Sequence, residues 1–491
     1  MGTQISEKDI RDIVAKVLSD MQGGAPVAAK AKWSAAGYDG RAYIGVFKDM
    51  NQAIEAANEG YKKVRAMTVE EREKIITEIR KLTRAEAAIM AEMGVAETGM
   101  GKVEHKRLKH LLVADKTPGT EDIQATARTG DNGLTLIEMA PFGVVGAITP
   151  STNPSETVIC NSIGMIAAGN GVVFNPHPNA IATSNYAVDL VNRASKAAGG
   201  PEILVASTEK PTLESASTMY GHKLIRLLVC TGGPGVVKAV LSSGKKAIGA
   251  GAGNPPVIVD DTADVQKAAK DIIDGCTFDN NLPCIAEKEV FAFTRIADDL
   301  IAGMKRNGAY MITAEEADKL AKVVLVEKTG KDGKVKKIVN RDCVGRDADV
   351  ILAKIGIRVG KDVRCIICET DFNHEFVQEE LMMPILPIVR VSNIDQAIEL
   401  AVKAEHGNRH TLTCTPRTLT ISPDLPRQSK RPSSLRMLPL MQALASVAKV
   451  TQRLRSQVLR AKVSPPRAAS PDSAVALWLT ASESFDRRSC V

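Results

Sequence analysis

The sequence predicts an α/β protein with a parallel sheet, and three observations carry that expectation. Short apolar segments at 143–148, 171–174, 227–230 and 256–259 alternate with helical stretches at 155–168, 180–198 and 234–243, the order from which β-α-β units are built. The 227–230 segment runs into Thr231-Gly232-Gly233-Pro234-Gly235 and then a helix. Glycines at such a turn let the backbone approach a phosphate while the helix N-terminus favours negative charge. The GxGxxG spacing is absent, so a plain tight turn reads equally well there. Finally, 491 residues with 44% hydrophobic content suffice for two or three domains with their own cores.

Along the chain, residues 5–21 read as an amphipathic helix, with Ile10, Ile13, Val14, Val17 and Leu18 on one face. Residues 22–40 read as a flexible linker rich in Gly, Ala, Lys and Ser. A short helix on a tether either docks on its own domain or serves as a docking peptide for another protein. Residues 48–112 are charged and helix-rich. A second α/β region is expected over 260–410, with a helix near 314–323 and a hairpin about Lys331-Asp332-Gly333-Lys334. No apolar run reaches membrane-spanning length, and the first residues lack the apolar stretch of a secretory signal. Nine irregularly spaced cysteines read as reduced thiols of a cytoplasmic protein. Cys365-Ile366-Ile367-Cys368 has redox or zinc spacing but sits in an apolar, strand-like run with no second pair, so no metal site is expected.

The formal charge of +7 would suit nucleic acid, but it is not spread through the chain. Residues 412–491 hold 13 Lys and Arg against 4 Asp and Glu, leaving 51 against 53 for everything before them. No nucleic-acid partner is expected. The segment with the most chemistry is Phe278-Asp279-Asn280-Asn281-Leu282-Pro283-Cys284-Ile285-Ala286-Glu287-Lys288, a polar, turn-prone loop running into the apolar strand 289–293. The end of a loop offers a thiol access and thiolate-favouring donors. A small buried core cysteine is the competing reading.

Taken in order, several segments resemble the aldehyde dehydrogenase superfamily, and most closely its CoA-acylating branch, which serves propanediol-using bacterial microcompartments. They are Ala147-Ile148-Thr149-Pro150-Ser151-Thr152-Asn153-Pro154, Val173-Phe174-Asn175-Pro176-His177-Pro178, Thr231-Gly232-Gly233, the loop around Cys284, Gln378-Glu379-Glu380-Leu381-Met382-Met383-Pro384, and His406-Gly407-Asn408-Arg409-His410-Thr411. The resemblance implies a Rossmann-type cofactor domain over 41–250, with an oligomerisation hairpin near 131–142, and an α/β catalytic domain over 251–411. It implies Cys284 as nucleophile, forming a thiohemiacetal and then a thioester with a short-chain aldehyde such as propionaldehyde. The oxyanion donors would be the Cys284 N–H and Asn153, with Thr152 as the neighbouring alternative. Glu380 would bind the nicotinamide ribose. Thr149, Pro150, Pro176, His177, Pro178, Thr231, Gly232, Gly233 and Gly251 would complete the NAD or NADP site. Asn175 stands where hydrolytic relatives carry a lysine, which leaves NAD against NADP open.

Hydrolytic members also carry a glutamate that activates water; here the matching segment is Gly249-Ala250-Gly251-Ala252-Gly253, with Ala250 at that place. Coenzyme A is then the expected acyl acceptor, because a thiol is more acidic and more nucleophilic than water. His410 would assist that step or serve structure only. The small residues at 249–253 suit a site that admits a pantetheine arm. In the resembling enzymes a helix such as 5–21 directs the protein into the microcompartment lumen, so a shell protein or co-encapsulated enzyme is the expected partner, and a homo-oligomer the expected assembly. The competing readings are a non-catalytic, microcompartment-associated relic and a hydrolytic dehydrogenase.

The resemblance stops after Thr411. Residues 412–491 hold eight of the 23 prolines, much Arg and Ser, and little periodicity. Codons compatible with this tail, entered at the third base of Thr413, can instead encode an apolar strand, a Gly-rich turn and a closing strand. The tail is therefore expected to be out of frame and poorly ordered, leaving strand edges exposed and this chain unstable or inactive. Nucleotide sequencing across codons 411–413 tests this: a base lost or gained is expected, and an intact frame to 491 would overturn it.

Overall fold

Apolar, β-branched runs too short for helices form the two sheets, and the amphipathic stretches between them cover both sheet faces. The computed structural model describes residues 41–414 other than 132, 330–334 and 409, together with the backbone of the two-residue strands Gly37–Tyr38, Leu435–Arg436 and Arg460–Ala461. The helix expected over 5–21, most of the 22–40 linker, the 331–334 turn, Arg409 and the rest of the tail beyond 414 lie outside these residues. At the linker's end, Gly37–Tyr38 pairs antiparallel with Arg41–Ala42.

The first unit comprises β1 (Val46–Phe47), α1 (Met50–Ala66), α2 (Val69–Ala85), α3 (Ala87–Thr98), α4 (Val103–Lys116), β2 (Thr126–Gly130), β3 (Gly133–Ile137), β4 (Val144–Ile148), α5 (Pro154–Ala167), β5 (Gly171–Asn175), α6 (Ile181–Ala197), β6 (Val205–Thr208), α7 (Leu213–Gly221), β7 (Ile225–Thr231), α8 (Pro234–Leu241) and β8 (Lys246–Ala250). Helix starts follow local chemistry: Asp49 accepts from the N–H groups of Asn51 and Gln52, and Thr68 with Glu71 forms a capping box. The sheet order is β8-β7-β4-β5-β6-β1, all parallel. Val145, Ala147, Val172 and Phe174 face α2, α5 and α6; Val144, Ile148 and Val173 face α1, α7 and α8. Burial on both faces explains why these strands read as continuous apolar runs.

The second unit adds β9 (Pro256–Val259), α9 (Val265–Thr277), β10 (Glu289–Phe293), α10 (Thr294–Arg306), β11 (Ala309–Met311), α11 (Ala314–Val324), β12 (Leu325–Thr329), β13 (Val335–Val339), α12 (Ala348–Ala353), β14 (Cys365–Glu369), α13 (Glu375–Gln378), β15 (Ile385–Val391), α14 (Ile394–Ala404) and β16 (Thr413–Cys414). Its parallel sheet runs β11-β14-β15-β10-β9-β16, with Leu435–Arg436 beyond. Strands β12 and β13 pair antiparallel as the hairpin pattern required. Cys365 and Cys368 are fully buried strand residues, and no cluster that could hold a metal occurs among the described residues.

Two expectations shift. The hairpin placed near 131–142 is formed earlier, by β2 and β3 paired from Thr126↔Ile137 to Gly130↔Gly133. Glycine closes the ladder at both strand ends, and Pro141 behind it has no N–H to donate. The regular fold also continues past Thr411: Leu412 is buried against the second core, and Thr413 and Cys414 pair with Val257 and Ile258. No helix among the described residues is long and apolar enough to cross a membrane.

The approach of α1 to β6 depends on one glycine. A Cβ on Gly60 would stand 2.2 Å from the Ile203 carbonyl oxygen and 3.1 Å from Leu204 Cα. Alanine in a helix interior is worth ~1 kcal/mol over glycine, but forced overpacking costs about 1–3 kcal/mol. Gly60→Ala is therefore expected to destabilise the protein, read as a lower denaturant midpoint at unchanged slope.

Candidate active site

The strand order of the first sheet reverses direction between β4 and β7. At such a switch point the loops leaving the two strand ends diverge and open a crevice. The segments there are 149–153 after β4 and Thr231–Gly233 after β7. Both line a cavity of about 520 Å³, closed on its far side by Leu282, Cys284, Glu380 and Met382 of the second unit. Thr149, Pro150, Asn153, Pro176, His177, Pro178, Thr231, Gly232, Gly233, Gly251, Cys284 and Glu380 all line it. His410 is not among the lining residues; its ring lies behind Gly253.

Cys284 owes its place to an unusual turn. After α9, Asp279, Asn280 and Asn281 adopt φ values of 51°, 54° and 64°. A left-handed conformation costs an L-residue roughly 1–2 kcal/mol, least for Asn and Asp. All three are buried, and each is compensated by hydrogen bonds. Asn280 Nδ2 donates to the Gly345 carbonyl at 2.9 Å and to Asp347 Oδ1 at 2.7 Å. Asn281 Nδ2 donates to the carbonyls of Cys276 and Glu287, both at 2.9 Å. The buried Lys288 ammonium donates to Asn281 O at 2.8 Å and to Asn281 Oδ1 at 2.5 Å. Cys284 emerges half-buried, unlike the fully buried Cys276, Cys365 and Cys368. Burial pushes the Cys368 thiol up to about 12.

Asp279 anchors the turn to the first unit. Its Oδ1 accepts from the Lys102 N–H at 2.9 Å, and its Oδ2 from Lys106 Nζ at 3.2 Å and Lys109 Nζ at 2.6 Å. Lys109 also reaches Asn153 Oδ1 at 2.5 Å and Glu156 Oε1 at 3.3 Å, and Lys106 Nζ donates to the Thr152 carbonyl at 3.0 Å. Burial raises the Asp279 carboxyl, but Lys109 and Lys106 outweigh it and hold the group near 2. Burial lowers Lys109 too, yet Asp279 and Glu156 bring it above its ordinary value. Lys106 is lowered, by burial and then by the Lys109 charge.

Glu380 Oε2 accepts from the Gly253 N–H at 3.2 Å, and its other oxygen stands 4.0 Å from Lys288 Nζ. Burial raises its pKa against the Lys288 charge. It is the one carboxylate in the cavity lining among the described residues. Half-buried His177 is lowered to about 4, by burial and then by Arg341, so its imidazole is neutral at neutral pH.

The small residues at 249–253 divide into two kinds. Gly251 and Ala252 line the cavity, as expected of an open channel. Gly249 and Gly253 are small because packing demands it: a Cβ on Gly249 would meet Val237 Cγ1 at 2.7 Å, and one on Gly253 the Cys284 carbonyl oxygen at 2.7 Å and His410 Cγ at 2.8 Å. The His410 N–H donates to Glu405 Oε1, and its Nδ1 shares a hydrogen bond with Thr411 Oγ1, both at 2.8 Å. Ala250 sits in the β7–β8 ladder, where its carbonyl accepts from the Gly232 N–H at 3.1 Å.

Sequence reasoning missed the Lys106, Lys109 and Glu156 cluster and the cavity residues Arg341 and Arg346. Lys106, Lys109 and His110 recur at i, i+3 and i+4, the spacing of a buried helix face. That periodicity was the available signal, disguised because polar residues occupy it.

A buried carboxyl three residues after Cys284 offers a direct test of this packing. Glu287 lies against Gly275, and burial raises its pKa to about 8 against the opposing Lys288 charge. The folded state thus holds a proton that the unfolded chain releases near its free value of 4.5. Its contribution is full below about pH 4.5 and is lost as pH rises through about 8. Glu287→Gln should remove this slope. Relative to the variant, wild type should lose on the order of a few kcal/mol between pH 5 and 9, read as the difference in melting temperature across a pH series.

Comparison with known proteins agrees with this architecture. The aldehyde dehydrogenase family profile matches residues 41–418. The acetylating acetaldehyde dehydrogenase of Bilophila wadsworthia is 44% identical over 410 residues, 83% of this chain and 84% of that protein. The propionaldehyde dehydrogenase of the Clostridium phytofermentans fucose utilisation microcompartment superposes with a TM-score of 0.77 at 56% identity, covering 81% of this chain and 89% of that one. A Rhodopseudomonas palustris propionaldehyde dehydrogenase, solved with bound CoA and an acylated cysteine, gives a TM-score of 0.75 at 47% identity, covering 80% and 88%. This chain belongs to the aldehyde dehydrogenase family.

Proposed function

We propose that this protein oxidises a short-chain aldehyde, propionaldehyde in the first instance, to its acyl-CoA with NAD or NADP as hydride acceptor. The observation that carries the reading is the content of one cavity: Cys284, Asn153, Glu380 and the Gly232-Gly233 turn line it together, with no carboxylate besides Glu380 among the described residues. The Cys284 thiolate adds to the aldehyde carbonyl, and the Cys284 N–H and Asn153 Nδ2 receive the developing oxyanion. The nicotinamide cofactor, when bound, accepts the hydride that leaves the thiohemiacetal carbon. Its fit rests on the glycine turn at the α8 N-terminus and on Glu380, whose raised carboxyl is held by the Gly253 N–H beside the cavity.

The resulting Cys284 thioester needs an acceptor. Water would require a general base, and where hydrolytic relatives carry that glutamate this chain has Ala250. The CoA thiol needs less activation, and expels Cys284 to give acyl-CoA. His410, packed behind Gly253 and outside the cavity lining, is the candidate to take the thiol proton. The surrounding roles are read the same way. Thr149, Pro150 and the Pro176-His177-Pro178 segment border the cofactor. Residues 5–21 address the protein to a microcompartment shell protein or co-encapsulated enzyme. The exposed Leu134 and Leu136 of the β2–β3 hairpin suit contact between copies.

Propanal with NAD or NADP should support steady reduction only when CoA is present, and Cys284→Ala should abolish it. Without CoA, a single burst with one propionyl group on Cys284 is expected by mass spectrometry. Equal carboxylate formation with and without CoA would refute the acyl-transfer reading. A chain with the frame restored after codon 411 should exceed this one in activity and melting temperature.

A further inference from the structure

An ammonium group has three N–H donors and no acceptor. Two acceptors lie on Lys109, Asn153 Oδ1 at 2.5 Å and Asp279 Oδ2 at 2.6 Å, and Glu156 Oε1 stands at ion-pair distance, 3.3 Å. The atom of Asn153 that faces Lys109 must therefore be its oxygen. That removes the freedom a carboxamide otherwise has to exchange its two ends. It leaves Nδ2, which donates one N–H to Thr152 Oγ1 at 3.2 Å and has a second to offer on a residue that lines the cavity. The same ammonium grips Asp279, the first residue of the left-handed turn that carries Cys284. Lys106 repeats the linkage beside it, joining the Thr152 carbonyl to Asp279 Oδ2.

We propose that Lys109 is a positioning residue for the acyl-transfer chemistry: it orients the Asn153 carboxamide as an oxyanion donor and locks it, through Asp279, to the backbone of the nucleophile. The inference rests on the reading of Asn153 as an oxyanion donor. Its physical basis is twofold. A donor contributes to the transition state only if it is aimed before the charge develops. A fixed cation on the amide oxygen also polarises the amide N–H groups, in a site where water does not screen it. Lys109 is 5% exposed and Asp279 0%. Glu156 balances the second positive charge, so the cluster holds two cations and two carboxylates.

The test is a cycle of four proteins, all carrying the frame restored after codon 411: wild type, Lys109→Met, Asn153→Ala and the double variant. Each is assayed for kcat with propanal at saturating CoA and cofactor, for the KM of each, for the rate of Cys284 alkylation by iodoacetamide, and for melting temperature. Asn153→Ala should lower kcat about 100-fold, and Lys109→Met about 10- to 100-fold. The double variant should be no slower than Asn153→Ala, because Lys109 acts through that side chain. KM values and the alkylation rate should hold, which a merely structural loss would not allow. Should Lys109→Met fail to fold, Lys109→Met with Glu156→Gln keeps the cluster neutral and carries the same comparison. Losses that multiply in the double variant, or wild-type kcat in Lys109→Met, overturn the proposal and leave the oxyanion reading standing. Wild-type kcat in Asn153→Ala overturns both.

Discussion

Four charged side chains, Lys106, Lys109, Glu156 and Asp279, leave water where the helices of the first unit meet the Cys284 turn of the second. Desolvation costs several kcal/mol per ion, so a cluster of this kind is poor evidence for stability. What it provides is fixed geometry. A hydrophobic substitute could fill the volume, but it could not draw Asn153, the Thr152 carbonyl and Asp279 to set distances. The strain of three consecutive left-handed residues before Cys284 is sustained by these bonds and by those of Asn280 and Asn281. If the cluster relaxed, Asn153 and the Cys284 turn would move independently.

The cavity above this cluster is a product of topology. Because the strand order reverses at β4 and β7, their following loops part, and the second unit supplies the remaining wall. Rigid strand ends therefore carry 149–153 and Thr231–Gly233, while a turn braced from below carries the thiol. Glu380 and Gly253 meet across the seam by one hydrogen bond. Chemistry at the seam draws on both units, and neither contains the site alone.

Much of this was legible in the residues. Continuous apolar runs such as Pro256–Val259 fixed the strands, and the Gly-rich turn after β7 marked the crevice. Cys284 could be singled out because polar turn residues led into an apolar strand. What stayed hidden was polarity turned inward. Asp279, Asn280 and Asn281 look like solvent-facing loop residues, yet all are buried because their partners lie far away in sequence. Lys109 and Asp279 stand 170 residues apart, and no local pattern joins them. The glycines at 249–253 were read as a single opening, whereas two of them answer to packing against Val237 and His410. Volume left for a ligand and volume taken by a neighbour look alike in a sequence.

Gly253 has a mechanical consequence. The carbonyl of Cys284 and the ring of His410 crowd the one position at which Gly253 would carry a Cβ. Any side chain at 253 would have to push one of them away. The spacing between them is a property of the backbone, set by a methyl group that is missing.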